Sequence, residues 1–275
     1  VAVTRTAKST ITSKTSGTTL SLSVAMTAGD LMVVYLAYDD QTLNSVTWNG
    51  QTLTLGDAVL GAGVRTRLAW VVASASATAN VTATWASAIT AKAMAVSSYH
   101  SSAVTGSWQA DSNATNTGTG SSASTSSVVP AIHGGTESVL VGVVGTEGPS
   151  GDTAGTWNTP STNGQRAGTT GNPANSNVTV SEGYDLAPTV GSAPSLQKVG
   201  MTSRDWGAAI RAFYYGSPPS QSYTPALINQ TASTFTPTVT ATRDLSVALI
   251  DQTAATFAPT VSQSGGGGGG VYLED

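Results

Sequence analysis

The sequence predicts an all-β fold: a single antiparallel β-sandwich of jelly-roll type over residues 1–216, continued by an extended C-terminal arm. Three observations carry this. Around ten short β-prone runs are separated by turn signals, the pattern of a sandwich. Several runs alternate apolar and hydroxyl residues with period two, as half-buried strands do. An Asn-Gly pair between two such runs marks a tight hairpin.

Taken in order, Thr18–Met26 alternates in outline, and the turn Ala28-Gly29-Asp30 follows it. Leu31–Tyr38 is a continuous apolar run. Its length, its Val and Tyr content and its flanking turns predict a buried central strand rather than a helix. Val46–Leu55 holds Asn49-Gly50 between β-prone residues, which predicts a type I′ hairpin with positive φ at both turn residues. Further strands are expected at Arg65–Val72, Asn80–Trp85, Ala91–Tyr99, Ser138–Val144, Asn177–Leu186 and Trp206–Tyr215. The stretches Ser107–Ser127 and Glu147–Ser176 are rich in Ser, Thr, Asn, Gly and Pro and read as two long loops, each carrying a lone tryptophan, Trp108 and Trp157.

At Ser217-Pro218-Pro219 a linker begins, since paired prolines do not continue a sheet. Residues 217–264 hold two near-identical units. Residues 226–239 recur 22 residues later as 248–261, with eleven of fourteen positions identical. Residues 265–275 form a glycine-rich tail, Gly265–Gly270 followed by Val271-Tyr272-Leu273-Glu274-Asp275. A 14-residue unit cannot bury its own apolar side chains, so Ile228, Phe235, Ile250 and Phe257 are expected to pack against another surface. Tyr272 and Leu273, beyond the glycine tether, are expected to act in the same way. Two equivalent contacts on one chain raise avidity without a new kind of contact.

Composition narrows the function classes. Charged residues make up 9% of the chain, against about a quarter in ordinary soluble domains, and Ser plus Thr supply 78 of 275 residues. Solubility therefore rests on hydroxyl groups. The net charge is −4 with no Lys/Arg cluster, which argues against nucleic-acid binding. No apolar run approaches the roughly 18 residues of a membrane span, so no membrane insertion is expected. Cysteine is absent, which removes disulfides, thiolate catalysis and zinc–thiolate sites.

The chemistry-bearing residues form no recognisable constellation. His100 and His133 have no nucleophile elbow or oriented partner in the sequence. Glu182 and Asp185 flank Tyr184 and are one carboxylate pair to test, with Glu182 expected on a solvated face. Asp39-Asp40, expected to start a turn, and Glu147 with Asp152 are loop carboxylates of the kind that suit calcium, without an EF-hand spacing. The glycine run lacks the Lys-Ser/Thr of a phosphate loop. The expectation is a protein with no catalytic residues, no metal and no cofactor. Trp48, Trp70 and Trp85 are expected in the core. Trp108 and Trp157, set among hydroxyl and amide groups, are candidates to stack on a glycan or anchor an interface, or else to fold back as lids.

Gly29–Leu36, Val46–Leu53 and Arg67–Val72 resemble β-sandwich domains of phage and bacterial surface proteins. The units Ala-Leu-Ile-(Asn/Asp)-Gln-Thr-Ala and Phe-(Thr/Ala)-Pro-Thr-Val, and the glycine-rich end, resemble segments of tailed-bacteriophage structural proteins. The resemblance implies a virion component: a tail, fibre or capsid-decorating subunit that assembles with other virion subunits and with itself, and displays a surface to the host, host-surface glycan included. The alternative is a secreted bacterial carbohydrate-binding or adhesin module.

Overall fold

The computed structural model describes residues 3–102, 106–127, 137–158, 161–189, 194–216, 239–240 and 261–262. The chain divides into two units, Val1–Ser220 and Gln221–Asp275. The described part of the first unit is antiparallel β-sheet throughout, with one 3-10 turn at Ala174–Ser176, so the all-β sandwich expected from the sequence holds. Its layering is richer than two sheets.

The first hundred residues weave two sheets together. The middle sheet contains β1 (Val3–Ser13), β3 (Leu31–Tyr38), β6 (Thr54–Leu55), β7 (Val59–Gly61), β8 (Val64–Val72) and β10 (Lys92–Ser101). The outer sheet contains β2 (Gly17–Met26), β4 (Leu43–Trp48), β5 (Gln51–Thr52) and β9 (Ala77–Ile89). The rest of the unit builds a third sheet on the other face of the middle one: β11 (Ser107–Ser124), β12 (Glu137–Glu147), β13 (Ala154–Trp157), β14 (Thr162–Gly168), β15 (Val178–Asp185) and β16 (Gln197–Gly216).

Three layers explain why β3 is apolar without alternation. Side chains of successive strand residues point to opposite faces. Leu31, Val33, Tyr35 and Ala37 enter the core shared with the third sheet, while Met32, Val34, Leu36 and Tyr38 enter the core shared with the outer sheet. A strand covered on both faces has no solvent side on which to place polar residues. β10 repeats the pattern with Ala93 and Ala95 on one side and Met94 and Val96 on the other. A further cluster, containing Leu140, Trp157, Leu196, Met201, Trp206 and Ile210, lies on the far face of the third sheet. Trp48, Trp70 and Trp85 are core residues, as expected.

The Asn49-Gly50 hairpin forms as predicted. Trp48 pairs with Gln51, and the two turn residues have φ of 46° and 76°. The stretch read as a first long loop does not form one. Ser107–Ser124 is β11, eighteen residues paired antiparallel to β16, with register shifts at Ala110/Asn113 and Gly120/Ser122. β16 supplies the long apolar partner that β11's own composition does not reveal. The stretch Glu147–Ser176 likewise contains β13 and β14, which pair with β16 and β15.

In the second unit the structure describes a single two-residue ladder. β17 (Val239–Thr240) pairs in parallel with β18 (Val261–Ser262), Val239 opposite Val261 and Thr240 opposite Ser262.

Candidate functional site

Among the described residues, a dense polar cluster lies where the middle and third sheets meet. β15 places Glu182 on its inward face, where the residue is 1% exposed. Oε1 accepts hydrogen bonds from Arg5 Nε at 2.7 Å and from the Tyr99 hydroxyl at 3.1 Å. Oε2 accepts from Arg5 Nη2 at 2.6 Å, from Ser97 Oγ at 3.0 Å and from the Gln165 backbone N–H at 2.9 Å. Tyr99 uses its one proton on Glu182, so Tyr35 donates to Tyr99 across 2.7 Å. The Arg5 guanidinium also lies over the Tyr184 ring, 4.5 Å from its centre.

This corrects the expectation that Glu182 faces solvent. A buried carboxylate is tolerated only when paired and hydrogen-bonded, and here its partners come from β1, β10 and β14. Five donors fill a group with about four lone-pair positions, which leaves no site for a substrate proton. Burial, and next the Glu182 charge, push the Tyr35 and Tyr99 hydroxyls well above the usual phenol range. Against the cost of burial, its hydrogen bonds to Glu182 hold the Arg5 guanidinium charged. The cluster is a latch between two sheets.

Asp185 does not join it. Three positions along a strand puts a side chain on the opposite face, and Asp185 Oδ1 instead accepts from the Ala187 backbone N–H at 3.0 Å. The Glu182/Asp185 carboxylate pair is therefore not brought together.

The other candidates are also bound into the framework. Asp39 Oδ2 accepts from the backbone N–H groups of Thr90 and Ala91 at 3.0 and 2.7 Å, and Asp40 pairs with Arg65. Asp152 takes Arg204 through both oxygens, at 2.7 and 3.2 Å. Burial raises the Glu147 carboxyl, and the nearby Asp205 charge adds to it. Among the described residues no three carboxylate or histidine side chains converge as metal ligands. His100 Nδ1 lies 2.7 Å from Asp30 Oδ1, at the turn before β3. His133 lies outside the described residues. A cavity near Asp152, Arg166 and Arg204 has a volume of about 10 Å³, room for one water.

Both loop tryptophans are core residues. Trp108 is 4% exposed and packs edge-on against Tyr215, its partner in register on β16. Trp157 is 6% exposed and lies flat against Gly183, where an added Cβ would come within 2.5 Å of the ring. Neither indole offers a stacking face to solvent. Of the two roles considered for them, folding back onto the sandwich is the one seen. Beside Trp157 sits Lys198, 3% exposed, with its ammonium 5.5 Å from the ring centre. Burial, with the nearby Arg166 charge, lowers its pKa to about 8. Nothing in the sequence around Lys198 signalled a buried amine. Lys92, by contrast, is buried with three backbone acceptors, the carbonyls of Thr15, Gly17 and Ile89 at 2.8, 3.3 and 2.8 Å.

The solvent face of the outer sheet is a regular surface of small, mostly hydroxyl-bearing side chains. Its rows run across the strands in register: Thr19, Thr84 and Ser45; Ser21, Thr82, Thr47 and Thr52; Ser23 and Asn80; Ala25 and Thr78. The face holds no charge and no aromatic ring, and neighbouring hydroxyls bond to one another, as Ser21 and Thr82 do at 2.8 Å. The assembly candidates Ile228, Phe235, Ile250, Phe257, Tyr272 and Leu273 lie outside the described residues. Comparison with known protein families, characterised proteins and solved structures finds no match to this chain.

Proposed function

We propose that the chain is a non-enzymatic structural subunit of a bacteriophage virion, in the tail, a fibre or the capsid decoration, acting by assembly and surface display. The repeated C-terminal unit carries this reading. A segment that presents Ile and Phe twice at a fixed spacing suits multivalent attachment to other virion subunits or to further copies of this chain. The virion assignment rests on the resemblance of those units and of the glycine-rich end to phage structural proteins. Two features of the sandwich fit a scaffold role. Its buried carboxylate is saturated by five donors, and its outer face is an uncharged hydroxyl ladder. Host-surface attachment would then use that exposed face rather than an indole platform. The carbohydrate-binding alternative stands second, because the two tryptophans proposed to stack on sugar are buried.

Immunogold labelling of intact particles tests the proposal. Label on the tail, fibre or capsid supports it, and absence from particles removes it. Deleting residues 217–275 is expected to leave a folded sandwich that no longer incorporates. Normal incorporation of the shortened chain would reduce the arm to a passive tail.

A further inference from the structure

Two acids of the third sheet stand against each other beneath a hairpin of the middle sheet. In the antiparallel register of β12 and β16, Thr146 lies opposite Trp206, so one step further Glu147 lies opposite Asp205. Directly opposed residues on paired strands have Cβ atoms about 5 Å apart, and like charges in that relation repel. Asp205 accepts a hydrogen bond from the hydroxyl of Thr119, its register partner on β11. Among the described residues no donor bonds to the Glu147 carboxylate. Arg204, the cation beside it, turns to Asp152 through Nε and Nη2. Val178, opposite Glu147 on β15, and the β7–β8 hairpin from Gly61 to Val64 bring no charge. The hairpin tip rests on this pair. Gly63, with φ of 75°, leaves open the space that the Glu147 carboxylate fills, and a Cβ on Gly61 would stand 2.7 Å from the Trp206 carbonyl oxygen. The tip therefore touches both strands that bear the acids.

From this arrangement we propose that Glu147 and Asp205 are a proton-operated clasp: one proton taken up in mild acid joins the two carboxyl groups and holds the β7–β8 tip on the third sheet, and its loss toward neutral pH loosens that tip. The proton comes from solvent and sits on Glu147, which then donates to Asp205. An O–H donated to a carboxylate is a strong, charge-assisted hydrogen bond, whereas two carboxylates sharing one site disfavour ionisation of both. Burial raises the Glu147 carboxyl above its ordinary 4.5, the Asp205 charge raises it further, and Arg204 offsets part of this. A carboxyl raised on folding contributes stability that is complete below 4.5 and is lost as pH climbs through the folded value. Mild acid, which weakens ordinary ion pairs, is therefore the condition that closes this one.

The full-length native chain, Glu147→Gln and Asp205→Asn are compared at pH 4.5 and pH 7 by urea midpoint and by amide hydrogen exchange, corrected for its intrinsic pH dependence. Exchange of the hairpin is read relative to that of β3, which cancels any loosening of the whole molecule. In the native chain, relative protection of the hairpin is expected to fall from pH 4.5 to pH 7. Gln at position 147 keeps a donor toward Asp205 and carries no charge. That variant is expected to have a higher midpoint and a better protected hairpin than the native chain at pH 7, with both differences closing by pH 4.5. Asp205→Asn removes the opposing charge and is expected to shift the pH 7 values in the same direction, so the outcome does not hang on one substitution. A native hairpin equally protected at both pH values overturns the proposal. So does a gap between the variants and the native chain that stays constant with pH, since that is a packing effect without a proton.

Discussion

At the scale of single residues, the molecule contains two buried lysines with opposite accounts. Lys92 has three carbonyl acceptors and ties the start of β2 to the turn before β10. Lys198 has an aromatic face and a neighbouring cation. A folded-state pKa of about 8 against an ordinary 10.5 means that the unfolded chain binds more protons between those two values. Stability therefore rises with pH across that window, and below pH 8 the full cost of burying the ammonium is present. Lys198→Met keeps the apolar stem and removes the charge. It is expected to stabilise the protein at pH 7 by about 1–2 kcal/mol, after allowance for the lost ammonium–indole contact. The gain should shrink to nothing by about pH 10.5. Urea midpoints of both proteins at pH 7 and pH 10.5 check this. A variant less stable at pH 7 would show that the amine has a partner that contributes more than its burial costs.

At the scale of elements, close approach decides what each strand tolerates. Gly183 on β15 gives up its side chain so that the Trp157 indole can lie on the strand, since a Cβ at this position would stand 2.5 Å from the ring. The obstacle is a bulky, buried aromatic in the cluster on the far face of the third sheet, not the end of a flexible chain. Gly183→Ala is expected to push the indole out, costing about 1–3 kcal/mol as overpacking does. The expected signature is a red-shifted tryptophan emission together with a lowered urea midpoint and an unchanged slope. An unshifted spectrum would mean that Trp157 does not rest there. Legibility in the sequence also divides by element. β3, β10 and the Asn49-Gly50 hairpin are readable because their signals are local: an apolar run, a period, a turn dipeptide. β11 is not, because its Ser, Thr, Asn and Gly carry no alternation and its strand character comes from pairing with β16, about a hundred residues away. The same holds for Glu182. By itself a strand glutamate reads as solvent-facing, and Arg5, which makes its burial tolerable, is 177 residues away in sequence.

At the scale of the whole molecule, the latch at Glu182 couples the sandwich of the first hundred residues to the sheet built by the second hundred. Tyr35 and Tyr99 are fully buried inside it, one on each of two neighbouring strands of the middle sheet, and Tyr99 donates to a carboxylate presented by the third sheet. Burial and the Glu182 charge hold both phenols protonated well beyond their ordinary pKa of 10.0. The unfolded chain has no such restraint. Groups with a raised folded pKa contribute stability that is complete below the unfolded value and is lost as pH climbs above it. Alkali is therefore expected to open this protein by drawing protons from the latch, and the two phenols should ionise only as the sheets separate. A pH titration followed by phenolate absorbance and by far-ultraviolet circular dichroism tests this. The expected result is an early, reversible phase from the more accessible of the eight tyrosines. A later step should then coincide with loss of the β-sheet signal. If every phenol ionises while the β-sheet signal persists, hydroxide reaches the latch in the folded state, and Glu182 cannot be the closed junction that joins the two halves.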